Sequence, residues 1–480
     1  MFNQRQMPII DAIKKYTKQY PVRFHVPGHK GRTNNPFFSA IFPNDLTEIP
    51  GLDDLHQAEE AILLAQQLAA QVFHAEETFF LVGGSTVGNL AMLLATTQAG
   101  DSVVVQRNAH KSVMNGITLA HAKPIYLSPE FDQQTGLALT VSIQKFERIL
   151  QEKKPRAAFL TNPNYFGMTV DLEPYANLCK QYRIPLLVDE AHGAHFGHHE
   201  SLPPTAMQAG ASASVQSTHK MLPSLTMSSM LHIQGDLIDR ARLRRSLAMV
   251  QSSSPSYPLL ASLDYARHYL HHQGGQDLAR VIQWVQQFYR KIEVESFPWL
   301  QFVTASPSYD FLDPLKITLR TRSAHFHGFA LKEYLERHGI YAELADEQFV
   351  LLALSPFTEE QDLHRLLDAL RGIEVEGMDG LDSSSNEERF PSYTFAQEVV
   401  LLPSETHRFD TERISITDAV GRVSAERVTP YPPGVPVINP GERLDAMTLT
   451  YIVELKRMGC RFHDLSDLSL ETILVIKDYL

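Results

Sequence analysis

Several things are scarce in this chain, and each scarcity narrows what it can be. Among 480 residues there are two cysteines, Cys179 and Cys460, far apart and without companions at metal-ligand spacing. With no signal-peptide pattern at the N-terminus, that usage fits a reducing cytoplasm. No apolar run reaches membrane-spanning length, so no membrane association is expected. Basic residues are outnumbered: 43 Lys and Arg stand against 55 Asp and Glu, a net charge of −12. That argues against a general nucleic-acid binder, which would carry a basic stripe, and still leaves room for a local basic pocket. There is no internal repeat and no G-x-x-x-x-G-K-[ST] phosphate loop. What remains is ordinary globular material, 44% apolar and 20% charged. The length suggests two or three domains.

Read in order, the chain opens with a short amphipathic helix within residues 1–20. Ile9, Ile10 and Ile13 lie on one side, Lys14, Lys15 and Lys18 on the other. Phe24-His25-Val26-Pro27-Gly28-His29-Lys30 is a Pro/Gly-shaped loop, either a basic surface turn or a place for an anion or carboxylate. A second such loop, 48–56, feeds a helix over about 58–73. A buried strand at 78–82 runs into Gly83-Gly84-Ser85-Thr86-Val87-Gly88-Asn89 and a helix over 90–96. Strand, glycine turn, hydroxyls, helix is how α/β proteins cradle a phosphate. The plainer reading makes Ser85 a helix N-cap. The strand 102–106 delivers Arg107-Asn108-Ala109-His110-Lys111-Ser112, where the histidine either stacks on a flat ring or serves structure. A further strand covers 157–161.

Two more strands end abruptly in charge. Leu186-Leu187-Val188 stops at Asp189, and Ala213-Ser214-Val215-Gln216 leads through Ser217-Thr218-His219 to Lys220. No apolar or helical period asks for that lysine. An acid and then an amine delivered by buried strands suit pyridoxal phosphate: the lysine holds the cofactor as a Schiff base, and the acid keeps the pyridine nitrogen protonated. The strand–loop–helix rhythm of 78–220 implies a largely parallel sheet covered by helices, with polar tips at the C-terminal edge. Two decoys are set aside. Asp189-Glu190-Ala191-His192 spells a helicase box without the phosphate-loop lysine. His192, His195, His198 and His199 sit in a Gly-rich segment without zinc-protease spacing, so no metal is expected. Ser252-Ser253-Ser254 precedes a helix over 259–270 and either caps it or contacts phosphate. Residues 290–372 form a smaller α+β unit, with strands at 315–319 and 349–354 and helices at 329–336 and 359–370. Residues 377–389 are the best linker. In the last unit, Tyr431-Pro432-Pro433-Gly434-Val435-Pro436-Val437-Ile438-Asn439-Pro440-Gly441-Glu442 is a stiff loop, a rigid connector or a wall of the site.

Taken together, six motifs resemble the Orn/Lys/Arg decarboxylase family, bacterial basic amino-acid decarboxylases of the fold-type I pyridoxal phosphate superfamily. They are F-H-V-P-G-H-K at 24–30, L-D-D-L-H at 52–56, R-N-A-H-K-S at 107–112, V-D-E-A-H-G at 188–193, S-T-H-K at 217–220, and the P-P-G and P-G-E of 431–442. They lie in family order over nearly the whole chain, which resembles the short form without an extra N-terminal receiver-like domain. The resemblance implies an α/β, aspartate aminotransferase-like fold with a mainly parallel sheet, helices on both faces and smaller α+β C-terminal units. The implied division is an N-terminal arm and active-site loop at 1–50, a cofactor-binding large domain at 51–289, a small domain at 290–376, the linker, and a C-terminal domain at 390–480.

The resemblance also implies roles. Lys220 is the Schiff-base lysine, Asp189 pairs with the pyridine nitrogen, and His110 stacks on the ring. Gly84, Ser85, Thr86, Ser217 and His219 hold the phosphate. Ala191 and His192 pack by the ring. Ser252 or Ser253 reaches the phosphate of the partner subunit, because such sites are built in a homodimer or higher homo-oligomer. His29 and Lys30 serve the substrate, and Glu442 faces its basic end. The expected reaction is loss of CO2 from arginine, lysine or ornithine, giving agmatine, cadaverine or putrescine, with arginine or lysine favoured by the short form. The rivals are another reaction on the same cofactor (aminotransferase, aldolase or lyase), a catalytically silent regulator, and a metal hydrolase resting on the histidine cluster alone.

Overall fold

A computed structural model describes residues 3–322, 326–373, 398–431, 434–457, 459–477 and 479. The expected linker at 377–389 lies outside them, as do Pro432 and Pro433. The first eight strands are β1 (Glu77–Leu81), β2 (Ser102–Gln106), β3 (Lys123–Leu127), β4 (Ala157–Thr161), β5 (Met168–Thr169), β6 (Leu186–Asp189), β7 (Ala213–Gln216) and β8 (Ser229–Ile233). The first four helices are α1 (Pro8–Thr17), α2 (Ala61–Val72), α3 (Gly84–Thr96) and α4 (Lys111–Leu119). The chain folds as two compact units that interleave in sequence. One comprises 1–97, 150–163 and 170–279, and the other 98–149, 164–169 and 280–480.

In the first unit the strands run in the order β1-β8-β7-β6-β4. β4, β6 and β7 pair in parallel, and β8 runs antiparallel to both of its neighbours, so β1 points the same way as the rest. β6, β7 and β8 are buried along their whole length, as expected of a sheet covered on both faces. The register sorts the side chains. Phe79, Leu231, Val215 and Asp189 share one face; Thr78, His232 and Ser214 share the other. Helix α3 lies on the first face. A methyl group at Gly88 would sit 2.5 Å from Val215 Cγ2 and 2.9 Å from Leu81 Cδ1, so only glycine permits this approach. On the second face Phe73, at the end of α2, stacks on His232 with ring centroids 4.8 Å apart. Helices therefore cover both faces. The N-terminal helix is shorter than its period suggested, but Ile9 and Ile13 are buried as the amphipathic pattern requires. A buried pair, Arg267 and Asp264, ties it down: Asp264 accepts from Ile9 N, and Arg267 donates to the carbonyls of Gln4 and Gln6.

In the second unit β2 and β3 pair in parallel from Ser102↔Lys123 to Gln106↔Leu127. A four-stranded antiparallel sheet is built from β9 (Leu300–Phe302), β11 (Lys316–Thr321), β12 (Leu344–Ala345) and β13 (Phe349–Ala353), and β10 (Phe311–Leu312) pairs with β5. Helices Gly328–Arg337 and Glu360–Arg371 accompany the sheet, within a residue or two of the expected bounds. The C-terminal segment adds two hairpin-like pairs, β14 (Thr411–Ser415) with β17 (Thr472–Ile476) and β15 (Thr429–Tyr431) with β16 (Arg461–His463). They close with helix Ala446–Arg457 around Val428, Ile438, Ile452, Ile473 and Val475. Among the described residues no helix is long and apolar enough to cross a membrane. Cys179 is buried and Cys460 partly so; both are free thiols.

Candidate active site

Asp189 is the last residue of β6 and is 4% exposed. Oδ2 accepts from Asn89 Nδ2 at 2.9 Å and Oδ1 from Ala191 N at 3.2 Å. A buried carboxylate needs such donors to stay in place. Asn89 reaches it because Gly88 lets α3 settle on the sheet. Asn89 was not singled out from sequence. Its signal is the i, i+4 spacing from Ser85, which sets both polar groups on one helical face.

The glycine turn departs from expectation. Helix α3 begins at Gly84, not near residue 90, so the hydroxyls sit in its first turn. Gly83 occupies the cap position and Ser85 does not cap the helix. Gly84 has φ +73, which a residue with a Cβ rarely adopts, and its N–H is donated to Met227 O at 2.8 Å. It therefore shapes the turn. The Ser85 hydroxyl lies 2.7 Å from that of Ser217. Thr86 is exposed beside it. This part of the structure thus brings two hydroxyls together at the N-terminal end of α3, where an anion is favoured by the helix dipole.

Ser217, His219 and Lys220 follow β7 directly. His219 Nδ1 lies 2.9 Å from Ser228 O, a contact in which the nitrogen must carry the proton. Lys220 Nζ lies 3.0 Å from His192 Nε2. His192 is 5% exposed, so the amine meets a buried imidazole rather than bulk water. Ser252 and Ser253 are exposed, and Ser252 O accepts from His56 Nε2 at 2.9 Å. Asp53, in the L-D-D-L-H motif, caps the start of α2: its carboxylate accepts from the N–H groups of Glu59, Glu60 and Ile62. That motif is therefore an anchor for α2.

Glu190, next to Asp189, points to the opposite face of the sheet. It is 1% exposed, accepts from Ala206 N and Gln216 Nε2 at 2.8 Å each, and burial pushes its pKa up to about 8. Gln216 Oε1 meets His232 Nε2 at 3.1 Å, and His232 Nδ1 meets Thr78 at 2.8 Å. A polar chain thus crosses β6, β7, β8 and β1 on the face away from Asp189.

The 24–30 loop is held by its own contacts. His29 Nε2 is 3.1 Å from Asp45, its ring stacks on Phe42, and its Nδ1 accepts from Gly31 N. Lys30 Nζ donates to His25 O at 2.7 Å. The histidines of the 192–199 segment are dispersed: His192 meets Lys220, and His198 is half-buried against Phe73 and His74. Among the described residues no group of three His, Cys, Asp or Glu is placed to hold a metal ion.

The second unit holds His110 and Glu442. His110 is the N-cap of α4, its Nδ1 facing Ser112 N at 3.2 Å and Ser112 Oγ at 2.8 Å. Glu442, which the resemblance implies faces the basic end of the substrate, lies beside Arg107. It is 1% exposed, and its carboxylate accepts from Arg107 Nη2 at 2.9 Å and from Asn439 N at 2.7 Å.

The chain belongs to the Orn/Lys/Arg decarboxylase family. It matches the family's major domain over residues 7–298 and its C-terminal domain over residues 390–463. It is 38% identical to the Bacillus subtilis protein YaaO, over 91% of this chain and 92% of that one. It is 34% identical to an arginine decarboxylase of Bacillus anthracis, over 99% and 98% of the two chains. Among solved structures it superposes on the Francisella novicida lysine decarboxylase LdcF with a TM-score of 0.84 at 23% identity, covering 98% of this chain and 81% of that one.

Proposed function

We propose that this protein binds pyridoxal 5'-phosphate and removes CO2 from a basic L-amino acid, with arginine the first candidate. The observation that carries the reading is Asp189, a buried carboxylate at a strand end, aimed by Asn89 and the Ala191 N–H, with the Lys220 amine on the next strand's exit, 3.0 Å from His192 Nε2. Family membership and the arginine decarboxylase at 34% identity support it.

The donor set fits the cofactor. Lys220 would hold it covalently, Asp189 would pair with the pyridine N–H, and Ser85, Thr86, Ser217 and His219 would take the phosphate on the turn that Gly84 shapes. His110 is assigned to the ring face on the resemblance. When bound, the cofactor supplies an electron sink for the charge left by departing CO2. The chain's own residues do the rest. Asp189 keeps the pyridine nitrogen protonated, and Asn89 and Ala191 hold that carboxylate at a fixed angle. His192 Nε2, 3.0 Å from Lys220 Nζ, takes a proton from the ammonium, and the neutral amine is the nucleophilic form. The same pair returns a proton when the amine product leaves.

A second copy of the chain is the proposed partner. Tyr20, Val22, Phe24, Val26 and Phe37 are 92, 72, 94, 63 and 74% exposed, a run of apolar side chains in the N-terminal arm that a second copy would cover. Ser252 and Ser253, exposed on their loop, would reach the phosphate bound by that copy. The assignment is tested by absorbance. Adding pyridoxal phosphate to the purified protein is expected to give a visible band that is absent in Lys220→Ala and that changes with one of arginine, lysine or ornithine. A band identical in Lys220→Ala would overturn it.

A further inference from the structure

Arg107 of R-N-A-H-K-S and Glu442 of P-G-E are partners of each other. Arg107 follows β2 and is 0% exposed. A buried guanidinium is costly unless its donors are met. Here Nη1 donates to Pro436 O at 2.7 Å, and Nη2 to Val437 O and to Glu442 Oε2 at 2.9 Å each. Its carbon lies 5.1 Å from the centre of the Tyr126 ring. Glu442 is fixed in turn by Asn439 N at 2.7 Å. The arginine of R-N-A-H-K-S and the glutamate of P-G-E are thus one ion pair, 335 residues apart in sequence.

The same loop grips the other end of that turn. Gly434 O accepts from Lys111 N at 3.2 Å. Gly434 lies against the imidazole itself: a Cβ there would be 3.4 Å from His110 Cδ2 and Nε2, and its φ of +85 demands glycine. The four-residue turn from Arg107 to His110 is therefore held at its first residue by Pro436, Val437 and Glu442, and at its last by Gly434.

We propose that Arg107 and Glu442 are positioning residues for His110, and that the C-terminal loop 434–442 is the clamp that sets the imidazole. The inference rests on the ring-facing role given to His110 above. A small misplacement of a group that touches the reacting system costs rate far more than it costs binding.

The test is a cycle of Glu442→Gln and His110→Ala in the full-length, cofactor-saturated enzyme, with hydrogen exchange of the cofactor-free protein alongside. Glu442→Gln keeps the shape and removes the charge. The expected result is a loss in kcat of about tenfold with KM within about twofold. Amide exchange across 107–112 should be faster, and in the His110→Ala background the same substitution should have less than a twofold further effect. An equal loss in both backgrounds, or unchanged exchange across 107–112, overturns the clamp. An unchanged kcat in His110→Ala alone overturns the role of His110 instead, and so separates the two failures. Where Glu442→Gln does not fold, Glu442→Asp, which keeps the charge and retracts it by one methylene, enters the same cycle with the same criteria.

Discussion

Replacing Gly88 with alanine probes how α3 and the sheet assemble the site. The added methyl would stand 2.5 Å from Val215 Cγ2 and 2.9 Å from Leu81 Cδ1, so α3 must lift or the sheet must yield. Overpacking of this kind costs roughly 1–3 kcal/mol. Alanine in a helix gains about 1 kcal/mol over glycine. The two nearly cancel, leaving a net loss of about 0–2 kcal/mol, or a few degrees at most in melting temperature. The displacement does not cancel. Any lift of α3 lengthens the 2.9 Å bond from Asn89 to Asp189 and the 2.7 Å contact between Ser85 and Ser217 together. Gly88→Ala should therefore lose affinity for pyridoxal phosphate by about tenfold or more while hardly changing melting temperature, as read by a fluorescence titration of the cofactor-free protein and a thermal scan. Val215→Ala removes the clashing Cγ2, so the double variant should regain most of the affinity. A Gly88→Ala protein that melts higher and binds the cofactor normally would refute the close approach on which this account of the site depends.

Glu190 gives a pH prediction with a definite sign. Its folded pKa of about 8 stands above the ordinary 4.5. Below about pH 4.5 both states are protonated, and between 4.5 and about 8 the folded protein holds the extra proton. Stability should therefore fall as pH rises through that window and level off above it, by on the order of a few kcal/mol. Glu190→Gln cannot ionise, so its melting-temperature profile should be flatter over the same range; parallel profiles would show that Glu190 does not titrate there. Asp189→Asn removes the charge proposed to pair with a protonated pyridine, and should cut kcat by at least about a hundredfold with the fold intact, checked by steady-state kinetics and circular dichroism. A near-normal rate would end the electron-sink assignment. Asp53→Ala removes the acceptor for four N–H groups at the start of α2 and should cost about 1–2 kcal/mol, measured by thermal unfolding, without changing KM.

The residues most easily read from sequence were those that broke a pattern. Asp189 and Lys220 end apolar strands in charge, which neither burial nor periodicity requires, and the parallel rhythm of β2, β4, β6 and β7 follows from buried runs of four or five residues. The antiparallel β8 was not anticipated, because Ser229 to Ile233 reads like any short apolar run and strand direction leaves no mark on composition. Helix α3 starts earlier than expected because its first turn, Gly84-Ser85-Thr86-Val87, is made of residues that propensity does not favour in a helix. Asn89 was missed because an amide on a helix looks like surface until the partner strand is in view. The substrate-facing role of Glu442 is implied by the family resemblance alone; its loop reads only as a rigid connector or a wall of the site. Its actual partner, Arg107, lies far away in sequence, and nothing local reports a contact of that range.

The most direct measurement is CO2 release by the wild-type protein and by Lys220→Ala, each saturated with pyridoxal phosphate and offered arginine, lysine and ornithine in turn. The account predicts release from one of the three by the wild-type protein, matched by the corresponding amine, and a loss of at least about a thousandfold in Lys220→Ala. A keto acid without CO2, or undiminished release from Lys220→Ala, would contradict it.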